Sequence, residues 1–390
     1  MSRRSLARAL LAGLLVLGPP LVAEPGDADL GCGQEPGSRF YWVERAFCDL
    51  PVSGPARARG VVIWNHGISG TNPSWRAPAP PAFRLIQASG WDVLVLKRHN
   101  LAETMPGGPL ARSVERTLQE VAAQRKLGYR HVVLAGQSFG GYVTLEAIDN
   151  VPDIFAAVAF APGMRSSNAA GRFDPTAIEQ ILQRGHVGRL ALVLPKNDEV
   201  LGPIARGERA QPILARRTFP YLMIDESSDV RGHGGAVTGR FALRYGPCLV
   251  EFLNATEPPS GRFTCPPPED GWTVVRQLLM PAGVPPPDFA DRSGLPASVA
   301  SLTGPHWALI GETVVLVAPV KDPRGVRLLY RSTSSLGGVF DVTITAGSMQ
   351  AVVSDKSAVV LSAEGGGTIT LTSRDDAEVQ KVPLRPGEWP

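Results

Sequence analysis

Several things are scarce in this 390-residue chain, and each scarcity removes a class of explanation. The apolar run Leu10 to Leu17 is too short to cross a bilayer comfortably. Four cysteines fall in no metal-binding spacing, which gives no reason to expect a zinc module or an iron–sulfur centre. Charge of one sign is also lacking: 39 Lys and Arg against 36 Asp and Glu leave a formal +3, part of it in Arg3, Arg4 and Arg8. With no basic run interleaved with aromatics, nothing suggests a nucleic-acid partner. No internal period marks a solenoid or a propeller. Histidine is rare, six in all, so any general base comes from a short list.

At this length a large core is affordable, and one large domain with a smaller one is the natural division. Residues 1–23 carry an arginine-bearing start, the short apolar run and small residues near Ala23 or Ala28, the pattern of an export signal; a membrane anchor is the other reading. Ser2-Arg3-Arg4-Ser5-Leu6 hints at twin-arginine export and leaves the route open. In an exported chain an even number of cysteines suggests disulfides. Their clustering favours Cys32 with Cys48 and Cys248 with Cys265 among the three possible connectivities.

Between residues 30 and 264, apolar strand-like runs alternate with helix-like ones. The strands are Arg39 to Cys48, Arg59 to Asn65, Trp91 to Leu96, His131 to Ala135, Ala156 to Ala161, Leu190 to Leu194 and Tyr221 to Ile224. The helices are Pro81 to Ser89, Pro109 to Leu127, Tyr142 to Asn150, Asp174 to Arg184 and Val237 to Leu253. Such alternation implies a doubly wound α/β fold with a mainly parallel sheet, whose chemistry collects at the carboxyl ends of the strands. Residues 265–290 are proline-rich and read as a semi-rigid linker, with a boundary near Pro287. Beyond it, residues 291–390 carry short β-branched runs separated by Gly, Ser and Asp, the pattern of a small all-β sandwich.

The most informative stretch is Gly136-Gln137-Ser138-Phe139-Gly140, after a strand and before a helix. Glycines two residues either side of the serine let the chain turn sharply and push the hydroxyl out at the tip, a nucleophile elbow. A serine hydroxyl is a weak nucleophile at neutral pH and needs an imidazole to take its proton and a carboxylate to orient that imidazole. His233, in Arg231-Gly232-His233-Gly234-Gly235 just past a strand, is placed for the first role. His66 also ends a strand but precedes the serine and reads as structural; His131 begins a strand at the opposite sheet end, and His99, His186 and His306 lie in a loop, a connection and the β region. Asp198 follows the strand Leu190 to Leu194 and is the leading acid, with Glu199 and Asp225 as rivals. An exposed acidic turn or a helix cap is the bland reading of Asp198. Backbone amides of Phe139 and Ile68 are placed to hold an oxyanion.

Together, Asn65-His66-Gly67, the elbow, the turn at Asp198 and the loop at His233 resemble the α/β-hydrolase superfamily, in the flavour of its dienelactone-hydrolase-like and secreted esterase or lipase branches, over Arg39 to Leu253. The resemblance implies hydrolysis through an acyl-serine, without metal or organic cofactor. The expected activity is cleavage of a small or polymeric carboxylic ester by an exported enzyme. A prolyl-oligopeptidase-type peptidase is a second reading, and a non-catalytic binding protein whose β domain holds a glycan or a surface is a third. The connection Pro162 to Arg189 leaves room for little more than one helix as a lid, implying an open site. Trp75, Arg98, His99 and Phe139 are candidate pocket residues, with ordinary loop packing an equal reading of the first three. Asn254-Ala255-Thr256 fits the glycosylation pattern.

Overall fold

The computed structural model describes residues 31–33, 35, 37–68, 73–99, 109–151, 153–164, 175–202, 205–265, 271–280, 287–290, 293, 295, 297–323, 325–334, 337–345, 348–354, 357–363, 369–375 and 378–387. The signal-like residues 1–23 lie outside them. The first strand, β1 (Tyr41–Arg45), pairs antiparallel with β3 (Asp92–Arg98). All further pairings of this sheet are parallel, through β2 (Val61–Asn65), β4 (Val132–Gln137), β5 (Ala156–Phe160), β6 (Leu190–Val193), β7 (Pro220–Ile224) and β8 (Gly261–Phe263). The order is β1-β3-β2-β4-β5-β6-β7-β8. This is a doubly wound, mainly parallel α/β architecture, and the order reverses between β2 and β4, so a crevice opens there at the strands' carboxyl ends.

Strands β2 and β4 are apolar at consecutive positions because both faces are covered. On one face Val62, Trp64, Val133 and Ala135 pack with α1 (Ala82–Ala88), α6 (Gly239–Asn254) and α7 (Gly271–Leu279). On the other, Val61, Ile63, Val132 and Leu134 meet α2 (Pro109–Leu127), α3 (Phe139–Asn150), α4 (Pro175–Arg184) and α5 (Arg206–Leu214). Two helices among the described residues escape the sequence reading. Helix α5 carries Pro212 in its interior, and α7 lies inside the proline-rich stretch read as a linker, where it buries Val274, Val275, Leu278 and Leu279 against the sheet's core. Disulfides join Cys32 to Cys48 and Cys248 to Cys265, the local pairing expected.

The C-terminal part is a small β domain of two antiparallel five-stranded sheets. One contains β9 (His306–Ile310), β10 (Thr313–Asp322), β11 (Gly325–Ser332), β12 (Gly337–Phe340) and β18 (Arg385–Pro386). The other holds β13 (Thr343–Thr345), β14 (Ser348–Ser354), β15 (Ser357–Ala363), β16 (Ile369–Asp375) and β17 (Glu378–Pro383). Strand β10 alternates strictly: Val315 and Val317 point into the sandwich, while Val314 and Leu316 join the α/β core together with Trp307. The two parts therefore share a core. Arg240 at the start of α6 reaches across to Glu312 and to the Gly311 carbonyl, and Arg331 donates to the Leu279 carbonyl.

Candidate active site

Ser138 stands between β4 and α3 with φ 56° and ψ −122°, a backbone region that L-residues avoid and that costs about 1–3 kcal/mol. Three bonds hold it there. Its N–H donates to the Phe160 carbonyl at 2.9 Å, and its carbonyl accepts from the N–H groups of Tyr142 (2.9 Å) and Gly163 (3.2 Å). The flanking glycines are demanded by close backbone approach. A Cβ on Gly136 would lie 2.2 Å from the Gly140 carbonyl oxygen, and one on Gly140 would lie 2.0 Å from that of Asn65. The sharp turn thus packs helix α3 directly against the end of β2.

That strand end carries His66-Gly67-Ile68. A Cβ on Gly67 would come within 3.3 Å of the Ser138 Cβ, so this backbone lies beside the serine. His66 is buried, its Nδ1 2.7 Å from the Gly67 carbonyl and its Nε2 accepting the Arg98 N–H at 2.9 Å. Burial, and then the nearby charge of Arg98, push its pKa well below the usual imidazole range, so the ring is neutral. It is a scaffold residue. Arg98, a candidate for pocket lining or for ordinary packing, is buried. Its Nη2 donates to the carbonyls of His66 (3.1 Å) and Gly67 (3.2 Å), and its guanidinium lies 4.7 Å from the centroid of the Phe139 ring. One cation thereby touches the backbone leading to Ile68 and the side chain of Phe139, the two residues whose amides were singled out as oxyanion donors. Because the N–H of a trans peptide points opposite to its carbonyl, drawing the Gly67 carbonyl toward Arg98 turns the Ile68 N–H the other way.

The acid turn and the histidine loop are zipped together beyond their strands. Lys196 N–H donates to the Val230 carbonyl and Gly232 N–H to the Lys196 carbonyl, both at 2.8 Å. Asn197 and Gly232 both take positive φ, which turns the following side chains toward each other. His233 Nδ1 consequently sits 3.0 Å from both oxygens of Asp198, leaving Nε2 for another partner. Asp198 is buried; its Oδ1 also accepts the N–H groups of Val200 (3.1 Å) and Leu201 (2.9 Å), so it closes a turn rather than capping a helix while it also faces His233. Of its rivals, Glu199 takes the His233 backbone N–H rather than the ring, and Asp225 is engaged by Ser227 and Arg262. Burial alone would raise the Asp198 carboxyl. The His233 and Leu201 hydrogen bonds and the charges of His233 and Arg206 outweigh it and hold its pKa below the ordinary value.

His233 reaches the serine's strand through its own carbonyl, which accepts from Gln137 Nε2 at 3.3 Å. The elbow, the Gly67 backbone, Asp198 and His233 thus gather at one edge of the sheet. Arg206, absent from the sequence reading, joins them: Nη2 is 2.8 Å from Asp198 Oδ2 and Nη1 is 3.2 Å from the Pro162 carbonyl. Only an exposed-looking Arg-Gly-Glu-Arg stretch with a proline ahead signalled it. Trp75 packs edge-on against Trp42, with Arg76 over its ring, and His99 donates its N–H to the Phe40 carbonyl. In the connection expected to form a lid, α4 is spent on the sheet, burying Ile178, Ile181 and Leu182. Asn254 of the glycosylation pattern ends α6 with its Oδ1 accepting the Trp91 Nε1–H. No group of side chains among the described residues has the makings of a metal site.

No family model and no curated protein matches this chain. Solved structures do. A CIB-like hydrolase from Thermoplasma acidophilum is similar at 18% identity and TM-score 0.37 over 55% of this chain and 91% of its own. An esterase from Pyrococcus furiosus shows 14% identity and TM-score 0.38 over 57% and 96%. A monoacylglycerol lipase from Paleococcus ferrophilus shows 16% identity and TM-score 0.38 over 55% and 98%.

Proposed function

We propose that the protein is an exported serine hydrolase that cleaves a carboxylic ester through an acyl-serine intermediate. The observation that carries this reading is the pair His233–Asp198, an imidazole oriented by a buried carboxylate and tied through Gln137 to a serine held at positive φ. In the proposed sequence His233 Nε2 takes the Ser138 proton as Oγ attacks the ester carbon. The amides of Ile68 and Phe139 hold the oxyanion, each donor typically worth ~3 kcal/mol. His233 then gives the proton to the departing alcohol; water, deprotonated by the same ring, attacks the acyl carbon, and the ring returns that proton to the Ser138 oxygen as the acid leaves.

An open site is favoured by α4 lying on the sheet and by the exposure of Ile68 (41%) and Val200 (45%), two apolar side chains flanking the reacting groups. Two disulfides, and no helix among the described residues long and apolar enough to cross a membrane, are compatible with export. The test is a fluorophosphonate probe together with p-nitrophenyl esters of rising chain length and a peptide amide. Labelling at Ser138, its loss in Ser138→Ala, and ester turnover exceeding amide turnover are the expected results. A well-folded protein that is neither labelled nor active toward any of these would overturn the reading.

A further inference from the structure

Arg206 is in an unfavourable place for a cation. It is the first residue of α5, where the helix dipole is positive, and its side chain is buried, which costs several kcal/mol unless compensated. Its compensation is Asp198, the carboxylate that holds His233. Asp198 is saturated: Oδ1 takes two backbone N–H groups and the ring, and Oδ2 takes the guanidinium and the ring. The carboxylate cannot rotate, and the imidazole faces an ion pair instead of a bare anion.

We propose, resting on the acyl-transfer reading above, that Arg206 is a positioning residue that acts through Asp198 and extends the working range of the site into acid. Transfer of the serine proton makes His233 a cation. A bare buried carboxylate would stabilise that cation strongly and keep the ring protonated, and therefore useless as a base, up to a higher pH. The guanidinium cancels part of this attraction. The other charged residues on the two loops are Glu199, which accepts the His233 N–H from the acid turn, and Arg231 and Lys196, exposed residues whose backbones bridge the two loops. On the far side of Arg206, the Glu226 carboxylate accepts the Gly207 N–H.

The experiment is the pH profile of kcat/KM on p-nitrophenyl acetate for the full chain and its variants, with fluorophosphonate labelling rates in parallel. In Arg206→Gln the acid limb moves up by about one pH unit, and in Arg206→Lys it stays within a few tenths of the wild type. A folded Arg206→Gln protein whose rate falls equally at every pH, with the limb unmoved, would make the residue mere packing and overturn the inference. Should Arg206→Gln fail to fold, Glu226→Gln leaves the guanidinium less countered and moves the limb down by a few tenths; a limb that stays or rises overturns the inference. A wild type that neither hydrolyses ester nor takes the probe sinks the site reading, and this inference with it. An active wild type with unmoved limbs sinks this inference alone.

Discussion

At the scale of single residues, Asp198 has two duties that separate by pH. Its pKa is depressed in the folded protein, so its contribution to stability is present above the unfolded value near 3.9 and is lost as pH falls through the lower folded value. Asp198→Asn removes that contribution and leaves Arg206 without its counter-charge. The melting temperature of the variant should therefore lie below the wild type at pH 6, and the gap should close as pH drops below about 4. The same change should slow ester hydrolysis by about three orders of magnitude, and Asp225→Asn should leave it nearly unchanged. The reverse pattern would move the orienting role to Asp225. The placement of Ser138, His233 and Asp198 just past strand ends, and the pairing of the last two, were legible in the sequence because strand ends in a parallel sheet converge on one edge, so position along the chain stands in for position in space. Arg206 and the true place of Arg98 were illegible, since a buried cation is recognised only by what surrounds it.

Among the elements, the elbow is the most exacting. Gly140 approaches the end of β2 so closely that an added methyl would overlap the Asn65 carbonyl, and the obstacle is backbone with no rotamer to yield. Gly140→Ala should lower the melting temperature by a few degrees, consistent with overpacking costs of about 1–3 kcal/mol, or abolish soluble expression if the backbone cannot yield. An unshifted melting curve would mean that α3 can slide along β4. The helices that could be read from the sequence, such as α2 and α4, have regular apolar spacing. Those that could not are short and disguised: Pro212 interrupts α5, and α7 lies between proline-rich flanks that suggested a tether. Strand β9, with a single Trp307 as anchor, gave no alternating pattern long enough to stand out.

At the scale of the whole molecule, the β domain is packed onto the α/β core. Trp307, Val314 and Leu316 are each worth about 1.5–3 kcal/mol when fully buried, and truncation after Pro287 would leave their partners bare. The truncated protein should be insoluble or melt far below the full chain, and static light scattering with thermal denaturation would show it. A soluble, fully active fragment would mean that the shared core contributes little.

The seam also falls six residues beyond His233, where Gly239 has no space for a side chain against Thr333 and the Val314 backbone. An engineer who wished to exchange the sandwich for another appendage would have to rebuild this floor first. What looks along the chain like a detachable module is inherited together with the start of the helix that follows the histidine loop, and divergence in one half obliges the other to follow.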